Sequence, residues 1–207
     1  MSIPSSVRST ILAVALVLAG GAQAGSPAAP PETSAARLDM AAVNELDRAA
    51  FVAAFGGIFE HSPWVAERAW VGRPFASLDA LHAAMVAVTR AASRGEILTL
   101  LNAHPELAGP EARARAMTAA SASEQGSAGL DHMSAAEFDR FDGLNAAYRA
   151  RFGFPFIIAV RGRSRAVILA EFERRLAQPV DAEVDTALTE IAAITRMRLE
   201  RRIAPSP

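Results

Sequence analysis

The 207-residue sequence contains neither cysteine nor lysine. Without cysteine the chain has no disulfide, no thiolate metal site and no cysteine nucleophile. All 21 basic residues are arginine, so the side-chain amine that Schiff-base and pyridoxal-phosphate enzymes use for covalent catalysis is also missing. Any chemistry must therefore rest on the four histidines, the carboxylates, the arginines, hydroxyl and amide groups, and the backbone.

The sequence also lacks the features of several binding classes. Its formal net charge is -1, which gives no indication of a nucleic-acid partner or of an anionic membrane surface. It has no glycine-rich phosphate loop and no dinucleotide-binding fingerprint. No two histidines stand at i, i+4, so a zinc site of the metalloprotease type is excluded. What remains is a chain long enough for one globular domain with a sizeable core.

The N-terminus has the pattern of a secretory signal peptide. Arg8 precedes an apolar run over 11–19, and a small-x-small cleavage pattern ends at Ala24. The run is well short of the about 20 residues that a spanning helix needs. We therefore predict a signal peptide over 1–24, cleaved after Ala24, and a disordered leader rich in Ala, Pro and Ser over 25–37. Cleavage would give a periplasmic or secreted protein without a membrane segment, and an uncleaved anchor is the alternative.

From Leu38 onward the hydrophobic spacing is helical almost throughout, and we predict an all-α, single-domain multi-helix bundle over 38–203. The first helix is predicted along an apolar face formed by Val43, Leu46, Ala50 and Ala54. Later helices are predicted to begin at the caps Ser77, Ser134 and Ser164, with a short helix over 96–103 and a last one over 182–203.

One segment departs from the helical pattern. Residues 156–160 are continuously apolar, lie between Pro155 and Gly162, and show no helical spacing, so we predict a buried extended segment. No partner strand is evident in the sequence. The backbone N–H groups of this segment must therefore find another destination.

His104 is a candidate for proton transfer because histidine alone titrates near neutral pH without perturbation. It follows a short predicted helix, where a histidine can also simply bond the last carbonyl groups. The spacing alone favours this structural interpretation. The other three histidines carry weaker signals, because His82 falls on an apolar helix face and His61 and His132 lie in turn-like stretches.

Ser121, Glu124 and Gln125 have two competing interpretations. Positions i, i+3 and i+4 share one helix face and would aim a hydroxyl, a carboxylate and an amide in the same direction. The same residues fit a capping box in which the Glu124 side chain reaches back to the Ser121 amide. The pattern alone favours the capping box.

Two polar residues interrupt apolar helix stripes. Arg198 continues the stripe of the last predicted helix, so its side chain either covers the core and reaches solvent or enters a pocket to hold an anion or carbonyl. The sequence does not decide between these alternatives. Asn145 lies within an aromatic stripe, and a bond to neighbouring backbone is the favoured interpretation.

Several motifs, taken in order, resemble the family of 2-oxo-4-hydroxy-4-carboxy-5-ureidoimidazoline (OHCU) decarboxylases. They cover essentially all of 38–203, and the ordered set is far more specific than any one motif. The matching stretches are Phe55-Gly56-Gly57-Ile58-Phe59-Glu60-His61, His104-Pro105-Glu106-Leu107-Ala108-Gly109, Ser121-x-x-Glu124-Gln125, Arg151-Phe152-Gly153-Phe154-Pro155-Phe156-Ile157-Ile158, and Ala187-Leu188-x-Glu190-Ile191 with Arg198-Leu199.

The resemblance implies an all-helical homodimer that converts OHCU, a small anionic molecule, to (S)-allantoin and carbon dioxide in urate degradation, without metal or organic cofactor. It implies that His104 is the catalytic proton donor and that Glu124 is its acidic partner, holding the imidazole in position. The residues implied to line the substrate are Pro105, Ser121, Ala122, Ser123, Gln125, Phe156, Ile157, Ile158, Ala159, Val160 and Arg198.

Two other functions fit the same scaffold. One is an exported helical binding or interaction protein, and the other is a decarboxylase of a related ureido or hydantoin acid. The complete set of polar residues in the motifs favours the OHCU decarboxylase, because a scaffold without catalytic function would be expected to have lost some of them.

Overall fold

Helices are the only regular secondary structure in the computed structural model, which describes residues 37–114, 116–130 and 132–205. The predicted signal peptide, and all of the predicted leader except its last residue, lie outside these residues. A short 3-10 turn, Trp70–Gly72, follows the third helix. The helices are α1 (Met40–Glu45), α2 (Arg48–Phe55), α3 (Trp64–Ala69), α4 (Leu78–Arg90), α5 (Arg94–Asn102), α6 (Pro110–Arg113), α7 (Ala119–Ser127), α8 (Ala135–Phe152), α9 (Arg165–Leu176) and α10 (Val180–Arg202). The predicted all-α class is confirmed.

The first predicted helix is in fact two helices, so that prediction was wrong. Leu46 adopts extended backbone angles and ends α1, and the carboxylate of Asp47 then accepts a hydrogen bond from the Ala50 amide at 2.8 Å to begin α2. An aspartate that caps a helix competes with helix continuation. Because α2 begins anew after Asp47, it buries Phe51 and Phe55 in the core instead of Ala50 and Ala54 of the predicted face.

The serine caps predicted from the sequence are present. Ser77, Ser134 and Ser164 each accept a backbone amide at the start of α4, α8 and α9, and the Ser134 cap is a full capping box with Glu137. Helix α5 begins two residues earlier than predicted, because Ser93 and Glu96 form a second capping box. The last helix likewise begins at Val180 rather than at 182.

The segment 156–160 is non-helical and buried, and side chains from α9 and α10 bind its backbone. Arg175 on α9 donates from Nη1 to the Ile157 carbonyl at 2.8 Å, and the Ala159 amide donates to Oε2 of Glu190 on α10 at 2.8 Å. These two backbone groups are two residues apart and bond to the same side, as on one edge of an extended chain. Ionised side chains therefore replace the missing partner strand.

A buried ion pair fixes this anchor. Arg175 is fully buried and donates from Nε to Oε1 of Glu183 on α10 at 2.8 Å, while Tyr148 on α8 also donates to that carboxylate. Phe156 stacks on Phe172, with ring centroids 3.9 Å apart. Helices α8, α9 and α10 thus fix the segment 156–160 both by packing against its side chains and by hydrogen bonds to its backbone.

The two ends of the described chain are joined. The Leu38 amide donates to the Arg202 carbonyl at 3.0 Å, and the Ala204 amide donates to the Leu38 carbonyl at 2.9 Å. Within the part of the chain that the structure describes, no helix combines the length and the apolar character needed to cross a membrane.

Candidate active site

A small cavity lies where the end of α5, the inner face of α7, the segment 156–160 and the C-terminal half of α10 meet. It contains side chains from four of the five matching stretches seen in the sequence, and the stretch 55–61 does not line it. The residues that line it are His104, Pro105, Leu107, Ser121, Glu124, Gln125, Phe156, Ile157, Ile158, Val160, Arg161, Ile194, Met197 and Arg198.

His104 has the structural role considered from the sequence, and its second ring nitrogen is free of protein partners within the described residues. Its Nδ1 lies 2.9 Å from the Leu100 carbonyl, which only accepts, so Nδ1 carries a proton and the ring caps the end of α5. Its Nε2 is buried and has no hydrogen-bond partner among the described residues. Burial lowers the pKa of His104 below its usual value, so the ring is neutral near neutral pH and Nε2 holds a lone pair.

Glu124 lies in the same cavity but bonds to Arg198 rather than to the imidazole. The pair is bidentate, with Nε to Oε1 at 2.9 Å and Nη2 to Oε2 at 2.8 Å. The resemblance implied that Glu124 holds the His104 ring in position. In the structure the Leu100 carbonyl fixes the tautomer of that ring directly. The negative charge of Glu124 still acts on His104, where it opposes the lowering of the imidazole pKa.

Glu60 is a further buried carboxylate at this site, and sequence reasoning gave it no role. Its Oε2 accepts from Arg198 Nη1 at 2.7 Å and from Ser121 Oγ at 3.0 Å, and its Oε1 accepts from Thr118 Oγ1 at 2.7 Å. Burial alone would raise the pKa of Glu60, but the Thr118 hydrogen bond and the Arg198 charge outweigh burial and lower it. The sequence feature that could have identified Glu60 is its position directly after the apolar pair Ile58-Phe59.

Arg198 uses all of its donors within the protein. A guanidinium has five N–H groups. Two go to Glu124, one to Glu60, one to the Ser121 hydroxyl at 3.2 Å and one to the Ile58 carbonyl at 3.3 Å. The side chain enters the pocket wall, as one of the two sequence interpretations held, and its partners there are protein groups.

Helix α7 presents Ser121, Glu124 and Gln125 on one buried face. The capping-box interpretation of Ser121 was wrong, because Thr118 is the N-cap and its hydroxyl accepts from the Ser121 amide at 3.3 Å. Ala122 and Ser123 are exposed and do not line the cavity, since the 3.6-residue period carries them to the outer face.

Gln125 fixes the loop that follows His104. Its Oε1 accepts from the Ala108 amide at 2.9 Å, and its Nε2 donates to the Glu106 carbonyl at 3.2 Å. Asn145 on α8 supports the same loop by donating to the Leu107 carbonyl at 2.9 Å, which agrees with its predicted structural role. The side-chain amides of Gln125 and Asn145 thus fix residues 106–108. Pro105, which joins His104 to this loop, lines the cavity.

The segment 156–160 contributes four of its five residues to the cavity. Phe156, Ile157, Ile158 and Val160 line it, whereas Ala159 does not, because its amide is turned to Glu190. The amides of Ile158 and Val160 have no acceptor among the described residues. In an extended chain they lie on the edge opposite Ala159, so the free donors face away from the Glu190 anchor.

The remaining histidines lie outside the cavity. His82 bonds to the Ala192 carbonyl at 3.0 Å and the Thr195 hydroxyl at 3.2 Å, as expected of a structural histidine on an apolar helix face. His61 is exposed and has a positive φ of 36°.

Comparison with known proteins relates the chain to one family. The OHCU decarboxylase family model matches residues 44–200. A 2-oxo-4-hydroxy-4-carboxy-5-ureidoimidazoline decarboxylase from Haloferax volcanii is 46% identical over 167 residues, covering 81% of this chain and 97% of that protein. A uric acid degradation bifunctional protein from Bacillus subtilis is 40% identical over 157 residues, covering 76% of this chain and 31% of that protein. The crystal structure of (S)-allantoin synthase superposes with a TM-score of 0.63 and 30% identity, covering 80% of this chain and 54% of that one.

Proposed function

The chain belongs to the OHCU decarboxylase family, and we propose that it converts 2-oxo-4-hydroxy-4-carboxy-5-ureidoimidazoline to (S)-allantoin and carbon dioxide in urate degradation. The observation that supports this most directly is the unpartnered Nε2 of a buried, neutral His104 in a cavity that also holds the Glu124 carboxylate. Such a nitrogen is suited to moving a proton on and off a bound molecule.

We propose that the reaction needs no cofactor. The bond between the ring carbon and the carboxylate breaks and carbon dioxide leaves. The released electron pair forms a C=C bond to the neighbouring ring carbon, and the pair of the conjugated C=N bond moves onto the ring nitrogen. Because the substrate is its own electron acceptor, a lysine Schiff base is not required. Within 37–114, 116–130 and 132–205, no group of three or more histidine or carboxylate side chains is arranged to hold a metal ion.

His104 is the proposed proton-transfer group. A neutral imidazole must collect a proton before it donates one, and the 4-hydroxyl group of the substrate, which becomes a carbonyl in allantoin, supplies it. Nε2 takes this proton and returns it to the neighbouring ring carbon on one face, which sets the configuration of the product. The ring nitrogen that received the electron pair takes up the one proton consumed overall from solvent.

The free amides of Ile158 and Val160 are suited to stabilise the charge that develops on the ring oxygens. Fixed donors aimed at developing charge lose nothing to reorganisation during the reaction, and removing one typically costs about 2.7–4 kcal/mol of barrier. Arg175 and Glu190 fix the other edge of the segment and so hold these donors in place.

Glu124 has two proposed tasks. Each of its oxygens accepts one bond from Arg198 and retains a lone pair for the N–H groups of the ureido substituent. Its charge also favours the imidazolium that exists while His104 holds the hydroxyl proton. Arg198 acts here through Glu124, by fixing the orientation of the carboxylate.

We further propose that the mature enzyme begins at Gly25, is exported, and works as a homodimer. N-terminal sequencing of the exported protein tests the first point, since an intact Met1 would contradict cleavage. Light scattering during size-exclusion chromatography tests the oligomeric state. Export would require that the substrate is produced outside the cytoplasm.

Circular dichroism of the product tests the activity. OHCU generated in situ decays to racemic allantoin, so the wild-type protein should yield a signed allantoin spectrum. His104→Ala and Glu124→Ala should abolish the signed product while the far-ultraviolet helical spectrum persists, and His61→Ala should leave the product unchanged because His61 is exposed and outside the cavity. A racemic product with the wild-type protein would contradict the proposed function.

A further inference from the structure

The buried polar groups of the site carry an excess of negative charge. Glu60 and Glu124 both bond to Arg198, which is the only cation among the buried residues lining the cavity in the described chain. With His104 neutral, these groups sum to -1. The proposed substrate is itself a carboxylate, and like charges in a poorly solvated site repel each other. Substrate binding therefore requires a second cation.

Arg198 does not meet this need. Each of its five N–H groups already has a protein acceptor, and two of those acceptors are the carboxylates whose charge it balances. To bind a substrate carboxylate it would have to release Glu60 or Glu124 and leave a buried anion without a partner. Breaking a buried pair in this way is costly.

Arg161 has the properties that Arg198 lacks. It lines the cavity directly after Val160, is exposed to solvent, and forms no hydrogen bond or ion pair within the described residues. Its neighbour Arg163 differs, since both of its terminal nitrogens lie 3.1 Å from Oε1 of Glu190. Arg161 is thus the lining residue that has a free guanidinium and brings the total charge around the cavity to zero.

We infer that Arg161 is the anion-recognition residue of this enzyme, and that its guanidinium binds the carboxylate that the reaction removes. This inference rests on the proposed function. A planar guanidinium matches a carboxylate through two parallel N–H bonds. It also directs the departing carboxylate toward solvent, while the ring and ureido group face His104, Glu124 and the free amides.

The exposure of Arg161 suits a decarboxylase. A tight, buried guanidinium–carboxylate pair would stabilise the ground state, whose charge disappears as carbon dioxide forms, and would slow the reaction. A solvent-screened pair is weak, so it captures the anion without this penalty. The residue should therefore act on substrate binding much more than on the chemical step.

Kinetics separate this role from a structural one. For Arg161→Gln we expect KM to rise about two- to fivefold, as for loss of an exposed charge pair, with kcat essentially unchanged. Arg161→Lys should recover part of the loss in KM, and the effect should shrink at high ionic strength. Arg48→Gln is the matched control: it removes the same charge from an exposed surface pair with Glu67 and should leave KM unchanged. A fall in kcat with constant KM for Arg161→Gln would overturn the inference.

Direct binding separates this inference from the proposed activity. Isothermal titration of hydantoin-5-acetate, a stable ring carboxylate, and of neutral (S)-allantoin is carried out with the wild type, Arg161→Gln and Arg48→Gln. Arg161→Gln should lose about two- to fivefold affinity for the carboxylate and none for allantoin. Equal losses for both ligands, no loss, or a wild type that does not prefer the carboxylate would each overturn the inference. A racemic product in the turnover assay would overturn the activity instead.

Discussion

Oε2 of Glu60 lies 2.7 Å from Nη1 of Arg198, although 138 residues separate them in the sequence. Both side chains are almost completely buried, with 1% and 5% of their surfaces exposed. On its other side the same guanidinium holds Glu124, so the two carboxylates and the arginine form one charged unit in the wall of the cavity. The orientation of Glu124 therefore depends on Glu60, a residue that does not line the cavity.

Glu60→Gln should weaken both the fold and the catalytic step. The amide keeps the shape but removes the charge opposite Arg198, and we expect the free energy of unfolding to fall by about 1–3 kcal/mol. kcat should also decrease, because Glu124 is then held by a less constrained guanidinium. Urea unfolding and steady-state kinetics measure the two effects. Glu67→Gln, in an exposed pair with Arg48, is the control, and equal behaviour of the two variants would show that Glu60 does not position Arg198.

Activity should fall on the acid side below the usual histidine pKa. Burial lowers the pKa of His104, so the ring stays neutral until the pH drops below about 6.5, the ordinary value. Protonation then removes the Nε2 lone pair that the proposed mechanism uses. The pH profile of kcat/KM should show an acid limb below 6.5, unchanged in His61→Asn. An acid limb at or above about 6.5 would argue against a neutral His104 as the working form.

The free energy of unfolding should also depend on His104, and it should fall as the pH decreases. Because burial lowers the folded-state pKa of His104, the unfolded chain takes up the proton first as the pH decreases. The contribution of neutral His104 to the free energy of unfolding is fully present above about pH 6.5 and decreases below that pH. The decrease levels off once the pH is below the folded-state pKa. Thermal unfolding between pH 7.5 and 5 should show a smaller decrease in Tm for His104→Gln than for the wild type. Parallel curves for the two proteins would contradict the assignment.

Arg175→Met should be among the most damaging substitutions outside the cavity. It leaves the buried Glu183 without its cation and releases the Ile157 carbonyl, and breaking a buried pair costs about 3–5 kcal/mol. Arg174→Met, one residue earlier, removes only an exposed pair with Glu171 and should barely change stability. Urea unfolding of the two variants gives the comparison. Similar midpoints would mean that the Arg175 anchor does not support the segment 156–160.

Much of the fold was predictable because its signals are local. The caps at Ser77, Ser134 and Ser164 use hydrogen bonds within three residues, and the helices begin where those bonds predict. The first helix was mispredicted because the apolar spacing runs on through Leu46, whereas the Asp47 cap restarts the helix there. A local hydrogen bond outweighed the periodic pattern.

The site was predictable only in part, because its connections are long-range. The shared face of Ser121, Glu124 and Gln125 follows from helix geometry, and the structure places all three at the cavity. No spacing rule connects Glu60 with Arg198. The choice of Leu100 rather than Glu124 as the partner of the His104 ring also depends on how α5 ends relative to α7.

The imidazole of His104 bonds to the carbonyl four residues before it, so α5 determines the direction of the ring as well as its position. Each residue in a helix turns the chain by about 100°. Inserting or deleting one residue between the Ser93 cap and Leu100 would therefore swing the ring about a quarter turn away from Glu124 without removing any side chain that lines the cavity. The length of this nine-residue helix therefore sets the direction in which the His104 ring points.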